Sequence, residues 1–274
     1  MILMKRTILL TLGCWSLVAV TQGNAQTTLT DWTFDNLSVG ANASPAPSVG
    51  VGTASALGMS NSYNNTNSIS NPDVLSSAGS SMGGPDAWRI RGAGSAPNGG
   101  NGWSSMAPIG TQGAEFDSST AGYDNIHVYF DVNTTAQAEA NLQLEYTLDG
   151  SSWNNAVIAY AGSSATIKNN SSSVNTVMGS YIQFTAAAWI NGITADLSGI
   201  SGANNNPTFG IRLVNASTGI DDVNGNGTAY NNSSGNWRFD NVTISGTAVP
   251  EPGLGAILGG GLGLMLYLRR RWIV

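Results

Sequence analysis

Histidine and cysteine are almost absent from this chain, which has one of each, His127 and Cys14, and only 9% of its 274 residues are charged. Cys14 lies in an apolar N-terminal run. Residues 26–248 therefore hold no cysteine, disulfides are excluded there, and stability has to come from a packed core. The same stretch has five basic residues, Arg89, Arg91, Lys168, Arg212 and Arg238, against fifteen acidic ones, a net charge of −10. So few cations on an acidic body argue against nucleic acid and against anionic lipid headgroups, and leave calcium or neutral glycans as suitable partners. Acid–base and nucleophilic catalysis draw on titratable groups that are scarce here. His127 has the parity of an outer-face strand residue, and no spacing indicates the acid needed for a Ser-His-Asp set. A helix-period apolar stripe is also missing outside the two hydrophobic ends, so the body reads as β-structure with long loops.

Those two ends are distinctive. Lys5 and Arg6 precede an apolar run from Ile8 to Val20, and Gly23–Ala25 offers the small residues that a signal peptidase reads, so residues 1–25 are expected to be a signal peptide. The residues before Cys14 fit a lipidation site poorly. At the other end, Pro250 and Pro252 keep the chain extended around Glu251. Residues 253–268 then carry no charge. At about 1.5 Å per residue, these 16 residues would reach roughly 24 Å as a helix, enough for a thinned bilayer. Arg269, Arg270 and Arg271 follow, and a one-sided arginine cluster stays cytoplasmic, which places the body on the far side.

The order Pro-Glu-Pro, short apolar segment, arginine cluster over residues 249–274 resembles the PEP-CTERM sorting tail, a family also called the ice-binding protein C-terminal domain. The resemblance implies a transient membrane anchor and an address. An exosortase-type enzyme would remove the tail as the protein reaches the cell envelope or the exopolysaccharide. The phrases Ala107–Phe116, Thr147–Trp153, Asn206–Arg212 and Trp237–Val242 are similar to phrases in secreted bacterial β-sandwich proteins of unassigned activity.

Between the ends, residues 26–248 are long enough for one all-β domain. Trp32 and Phe34 share one face of a first strand. Residues 36–86 form a low-charge excursion, irregular and carrying short strands. Trp88 and Ile90 alternate with Arg89 and Arg91; Ile126, Val128, Phe130 and Val132 alternate with His127, Tyr129 and Asp131; Leu142 to Leu148 alternate with Gln143, Glu145 and Thr147. Asp149-Gly150 predicts a turn into a strand that begins at Trp153. In the last strand, Trp237 and Phe239 have one parity and Val242 and Ile244 the other, which predicts a bulge at Asp240-Asn241. Short strands with one apolar face each predict a two-sheet, jelly-roll-like sandwich whose first and last strands pair.

Three chemistries can be placed on such a body. Sugar binding would use exposed rings; of the six body tryptophans, Trp32, Trp88 and Trp237 have core parity, Trp189 has no clear assignment, and Trp103 and Trp153 beside polar turns are the candidates for exposure. Calcium would use Asp221, Asp222, Asn224 and Asn226, which match the start of an oxygen-rich D-x-N-x-N-G loop but lack the closing bidentate glutamate. Tight Asn-Gly turns produce the same pattern. A polysaccharide hydrolase would use Asp131 and Glu145, if their strands pair, with Arg212 and Arg238 neutralising that face. Ice binding would need a regular threonine array, and none is present. Sequons such as the one at Asn215 arise by chance in so Asn- and Ser-rich a chain. The expected function is that of an exported, non-enzymatic envelope or matrix protein, adhesive or glycan-binding, without a cofactor; the hydrolase and a calcium-dependent adhesin are the alternatives.

Overall fold

The computed structural model describes residues 25–35, 40–41, 44–59, 61–64, 87–91, 103–104, 107–160, 176–177, 181–184, 188–216, 231–232 and 235–250. The expected signal peptide up to residue 24, the sorting-tail residues Glu251, Pro252 and Arg269 to Arg271, and the loop carrying Asp221, Asp222, Asn224 and Asn226 lie outside these residues. Among the described residues, no helix is long and apolar enough to cross a membrane.

The described chain is all-β, apart from a single 3-10 turn at Ser201–Ala203. One antiparallel sheet has the order β11 (Ala159–Tyr160), β14 (Ala188–Asp196), β8 (Tyr123–Thr134), β17 (Asn236–Ala248), β5 (Trp88–Arg91), β4 (Asn61–Asn64) and β2 (Gly40–Ala41). As the sequence predicts, the first strand, β1 (Gln26–Trp32), also pairs with the last, β17, placing Gln26 opposite Thr247 and Trp32 opposite Val242. The second antiparallel sheet runs β12 (Thr176–Val177), β13 (Tyr181–Gln183), β9 (Asn141–Thr147), β15 (Gly210–Asn215), β7 (Gly113–Asp117) and β3 (Thr53–Leu57). Its β10 (Trp153–Asn155) forms a hairpin with β9 through the predicted Asp149-Gly150 turn. A small ladder joins β6 (Trp103–Ser104) to β16 (Asn231–Asn232).

Alternation explains the burial. On β8, Ile126, Val128, Phe130 and Val132 are buried, while His127 and Tyr129 are part-exposed on the other face. On β9, Leu142 and Leu144 face the same core from the second sheet. Large rings close the space between the layers: Trp32 meets Phe116 edge-on at 5.1 Å, Trp88 meets Phe116 at 5.8 Å, and Phe34 stacks on Trp88. A fully buried ring of this size contributes about 2–3 kcal/mol by removal from water, which compensates for the missing disulfides. The hydroxyls of Thr30 and Ser118, both buried, add a polar stitch between β1 and the segment following β7.

The bulge predicted in the last strand is present. The β17–β8 register shifts between Asp240 and Thr243, and Asn241 sits at φ +50°, a conformation that asparagine tolerates better than most residues. Within the excursion 36–86, the short strands β2, β3 and β4 are formed, while Val49 and Val51 stay exposed.

Two consecutive strands, β8 and β9, end in different sheets, and this overturns one expectation. Asp131 on β8 and Glu145 on β9 do not pair; they belong to opposite layers with the shared core between them, so they cannot flank one glycosidic bond. Arg212 and Arg238 are divided in the same way, the first on β15 and the second on β17. The alternation read in each strand was right, but alternation does not encode which sheet a strand joins.

Candidate functional site

The outer face of the second sheet brings polar side chains into register from five strands. One cross-strand row runs Thr53, Asp117, Gly210, Thr147 and Trp153; the next runs Ser55, Glu115, Arg212, Glu145 and Asn155. Residues two apart on a strand share a face, so the two rows lie side by side.

Arg212 is the hub. Its Nε donates to Glu115 Oε2 at 2.6 Å, and its guanidinium carbon lies 3.7 Å from the centre of the Trp153 ring. On its other flank stands Glu145, which accepts a hydrogen bond from Gln143 Nε2 at 2.7 Å. Burial pushes the Glu145 carboxyl above its ordinary value, and Arg212 and Gln143 pull against that shift. Trp153, a candidate for exposure from the sequence, is half-buried, with one face capped by Arg212.

Beside this hub lies a groove of about 430 Å³, lined among others by Val51, Thr53, Glu115, Asp117, Pro207 and Thr208. Asp117, one of its lining residues, stands directly opposite Gly210 on the paired strand. A Cβ there would stand 2.4 Å from Asp117 Oδ1, so the missing side chain is what lets Asp117 lean over the strand. Asp117 Oδ2 accepts from the Thr53 hydroxyl at 3.1 Å. Burial, then the neighbouring Glu115, raises the Asp117 carboxyl, opposed by the Thr53 bond and by Arg212. Carboxylates, hydroxyls and an apolar rim in an open groove are what a polyhydroxylated ligand needs for orientation and contact.

The other candidates sit elsewhere. Trp103 is fully buried: its Nε1 donates to the Gly235 carbonyl at 3.0 Å and its ring packs 4.5 Å from that of Trp237, so it is a core residue and not a platform. The turn beside it misled, because a polar loop can begin directly at a buried ring. Asp131 is buried on the first sheet, accepting from the Gly192 N–H at 2.7 Å and from Asn241 Nδ2 at 2.9 Å. Asp240 lies directly opposite it across the β17–β8 pair, and Arg238 Nη1 donates to Asn133 Oδ1 nearby. Burial lowers Arg238 to about 10. His127 is part-exposed, with Nδ1 3.7 Å from Asp196. Asn215 is fully buried, its Oδ1 accepting from the backbone N–H groups of Thr111 and Gln112, so its sequon is closed to modification. Among the described residues, no group of three or more His, Cys, Asp or Glu side chains is placed to hold a metal ion.

The hub and groove were not singled out from sequence. Gly113–Asp117 does alternate Glu115 and Asp117 against Ala114 and Phe116, but the signal that Arg212 joins them lies in a register between strands almost a hundred residues apart.

No family model matches the chain. No curated protein matches it. Among solved structures, the K2 cleaved adhesin domain of Lys-gingipain is similar over 80% of this chain and 97% of that chain, at 10% identity and a TM-score of 0.36.

Proposed function

We propose that this is an exported, non-enzymatic protein of the cell envelope or extracellular matrix, whose jelly-roll-like body binds glycan on the outer face of the second sheet. The observation that carries this is the groove around Asp117 beside the Glu115–Arg212–Trp153 hub. Polysaccharides present rows of hydroxyls along a flat chain. A sheet face with carboxylates, a fixed guanidinium and threonine hydroxyls in register offers matching acceptors and donors, with Val51 and Pro207 as apolar contact. Export and delivery rest on the terminal segments: the expected signal peptide would be removed by signal peptidase. The tail at 249–274 would anchor the chain with its arginines cytoplasmic until an exosortase-type enzyme releases it.

The test is a pull-down of the full chain, kept in detergent, on the producing organism's own extracellular polysaccharide, with calcium and with EDTA. Binding in both conditions that Arg212→Ala weakens supports the reading. Binding only with calcium would move the site to the Asp221 to Asn226 loop. Absence of binding would sink the glycan reading, and release of new reducing ends would sink its non-enzymatic half. For the tail, changing Arg269, Arg270 and Arg271 to serine should disturb retention or processing, and normal surface display of that variant would count against the sorting role.

A further inference from the structure

Resting on the glycan reading above, we propose that the groove around Asp117 selects a protonated amino sugar, with the ammonium set against Asp117 Oδ1 and the sugar hydroxyls against Thr53 and Thr208.

The two acids of the groove are not equivalent. Glu115 is already paired with Arg212 at 2.6 Å. Asp117 has no cation within ion-pair reach among the described residues, and its one side-chain hydrogen bond is the Thr53 hydroxyl on Oδ2. Its Oδ1 leans over the bare backbone of Gly210. A carboxylate that is half withdrawn from water, beside a second carboxylate and without a counter-ion, is held at a cost. A neutral sugar hydroxyl can donate to it but leaves the charge in place, whereas an ammonium both donates and neutralises, a stronger kind of hydrogen bond. Uronic or sulfated sugars would meet the field of Glu115 and Asp117 and be repelled. Arg212 offsets this field only in part, because its Nε is already committed to Glu115. The space fits as well: about 430 Å³ lies within the range of roughly 300–1,000 Å³ common to small-ligand sites. The hydroxyls of Thr53 and Thr208 and the apolar surfaces of Val51 and Pro207 suit the rest of a sugar ring better than a bare ammonium on a flexible chain.

The experiment is calorimetry of the full chain in detergent with three trimers: glucosamine, N-acetylglucosamine and galacturonate, at a pH where the amine is protonated. The glucosamine trimer should bind about tenfold or more tightly than its acetylated form, the size expected for one charge-assisted hydrogen bond, and the galacturonate trimer should bind least. Asp117→Asn should erase the preference. Asp196→Asn, which removes the same charge from an exposed position on the other sheet, should keep it. Equal affinity for the glucosamine and acetylated trimers would overturn the amine assignment while leaving glycan binding standing, and so would a preference that Asp196→Asn removes as fully. Failure to bind any trimer, or any native polysaccharide, would overturn both.

Discussion

The guanidinium carbon of Arg212 lies 3.7 Å from the centre of the Trp153 ring while its Nε holds Glu115, so one side chain joins β15 to β10 on one side and to β7 on the other. Arginine suits this position because a planar, weakly hydrated cation can stack on a ring and still donate in its own plane. Arg212→Ala should cost about 1–3 kcal/mol, since it leaves Glu115 and Glu145, on the two strands flanking β15, without the cation between them. Arg212→Lys should recover only part of that. Denaturant melts followed by tryptophan fluorescence would report both the stability and the uncapping of Trp153; an unchanged midpoint for Arg212→Ala would show that the hub contributes nothing.

Gly210 separates binding from stability. In Gly210→Ala the new methyl would displace the end of the Asp117 side chain, at 2.4 Å, and press lightly on Thr147 Cγ2, at 3.3 Å, movements that cost little. The melting temperature should stay close to that of the wild type, while affinity for the glycan falls severalfold. A variant with full affinity would show that Asp117 Oδ1 is not part of the site.

Trp103 belongs to the opposite category. Trp103→Ala should destabilise by about 3–5 kcal/mol, because it opens a cavity beside Trp237 and breaks the bond to the Gly235 carbonyl. Trp103→Phe should lose less. Glycan affinity measured on whatever fraction remains folded should not change, and a selective loss of affinity in Trp103→Phe would return this ring to the binding surface.

At the bulge, Asn241 combines φ +50° with a side-chain bond to Asp131. Asn241→Val should cost about 1–3 kcal/mol, from a β-branched residue forced into the left-handed region and a buried carboxylate deprived of a donor. Asn241→Gly relieves the first problem and keeps the second, so it should fall between. Equal stability of the two variants would remove the backbone contribution.

The acid limb of stability carries a definite sign. Asp31, Asp117 and Glu145 are all raised, mainly by burial, so the folded state holds these protons more tightly than the unfolded chain does. Their contribution therefore weakens the fold as pH rises from the ordinary carboxylate value of about 4 through their raised values. Asp196, lowered chiefly by its bonds to Ser198, acts in the opposite sense: its stabilisation is present above its ordinary value and is lost as pH falls. Asp117→Asn should raise the melting temperature at neutral pH, with the gain shrinking towards acid. A gain independent of pH would assign the effect to something other than this charge.

How much of this was legible follows from the range of each signal. The strand faces, the Asp149-Gly150 hairpin and the bulge at Asn241 are set within a few residues, and alternation and turn chemistry are local by nature. The pairing of β1 with β17 was legible from the general habit of sandwiches to close their ends together. Asp131 and Glu145 were misjudged because the crossing from β8 to β9 leaves no mark on either strand's pattern. Trp153 was legible as a loop-side ring, but its Arg212 cap was not, since it depends on the register of β15 against β9. The groove was hidden for the same reason: its lining comes from Val51 to Thr53, Glu115 to Ser119, Gly150 and Pro207 to Phe209, segments far apart in the chain.

The pairing of β1 and β17 also bears on how the body would carry a load. A pull applied beyond Ala248 enters along β17, a strand of 13 residues flanked by β8 on one edge and by β1 and β5 on the other. The ladder bonds of antiparallel strands stand across that direction, so the pull shears many of them at once and cannot peel them one after another. Resistance to forced opening is then a matter of the unfolding rate under tension. A load entering at this end of the chain would be shared by both neighbours of β17 at once.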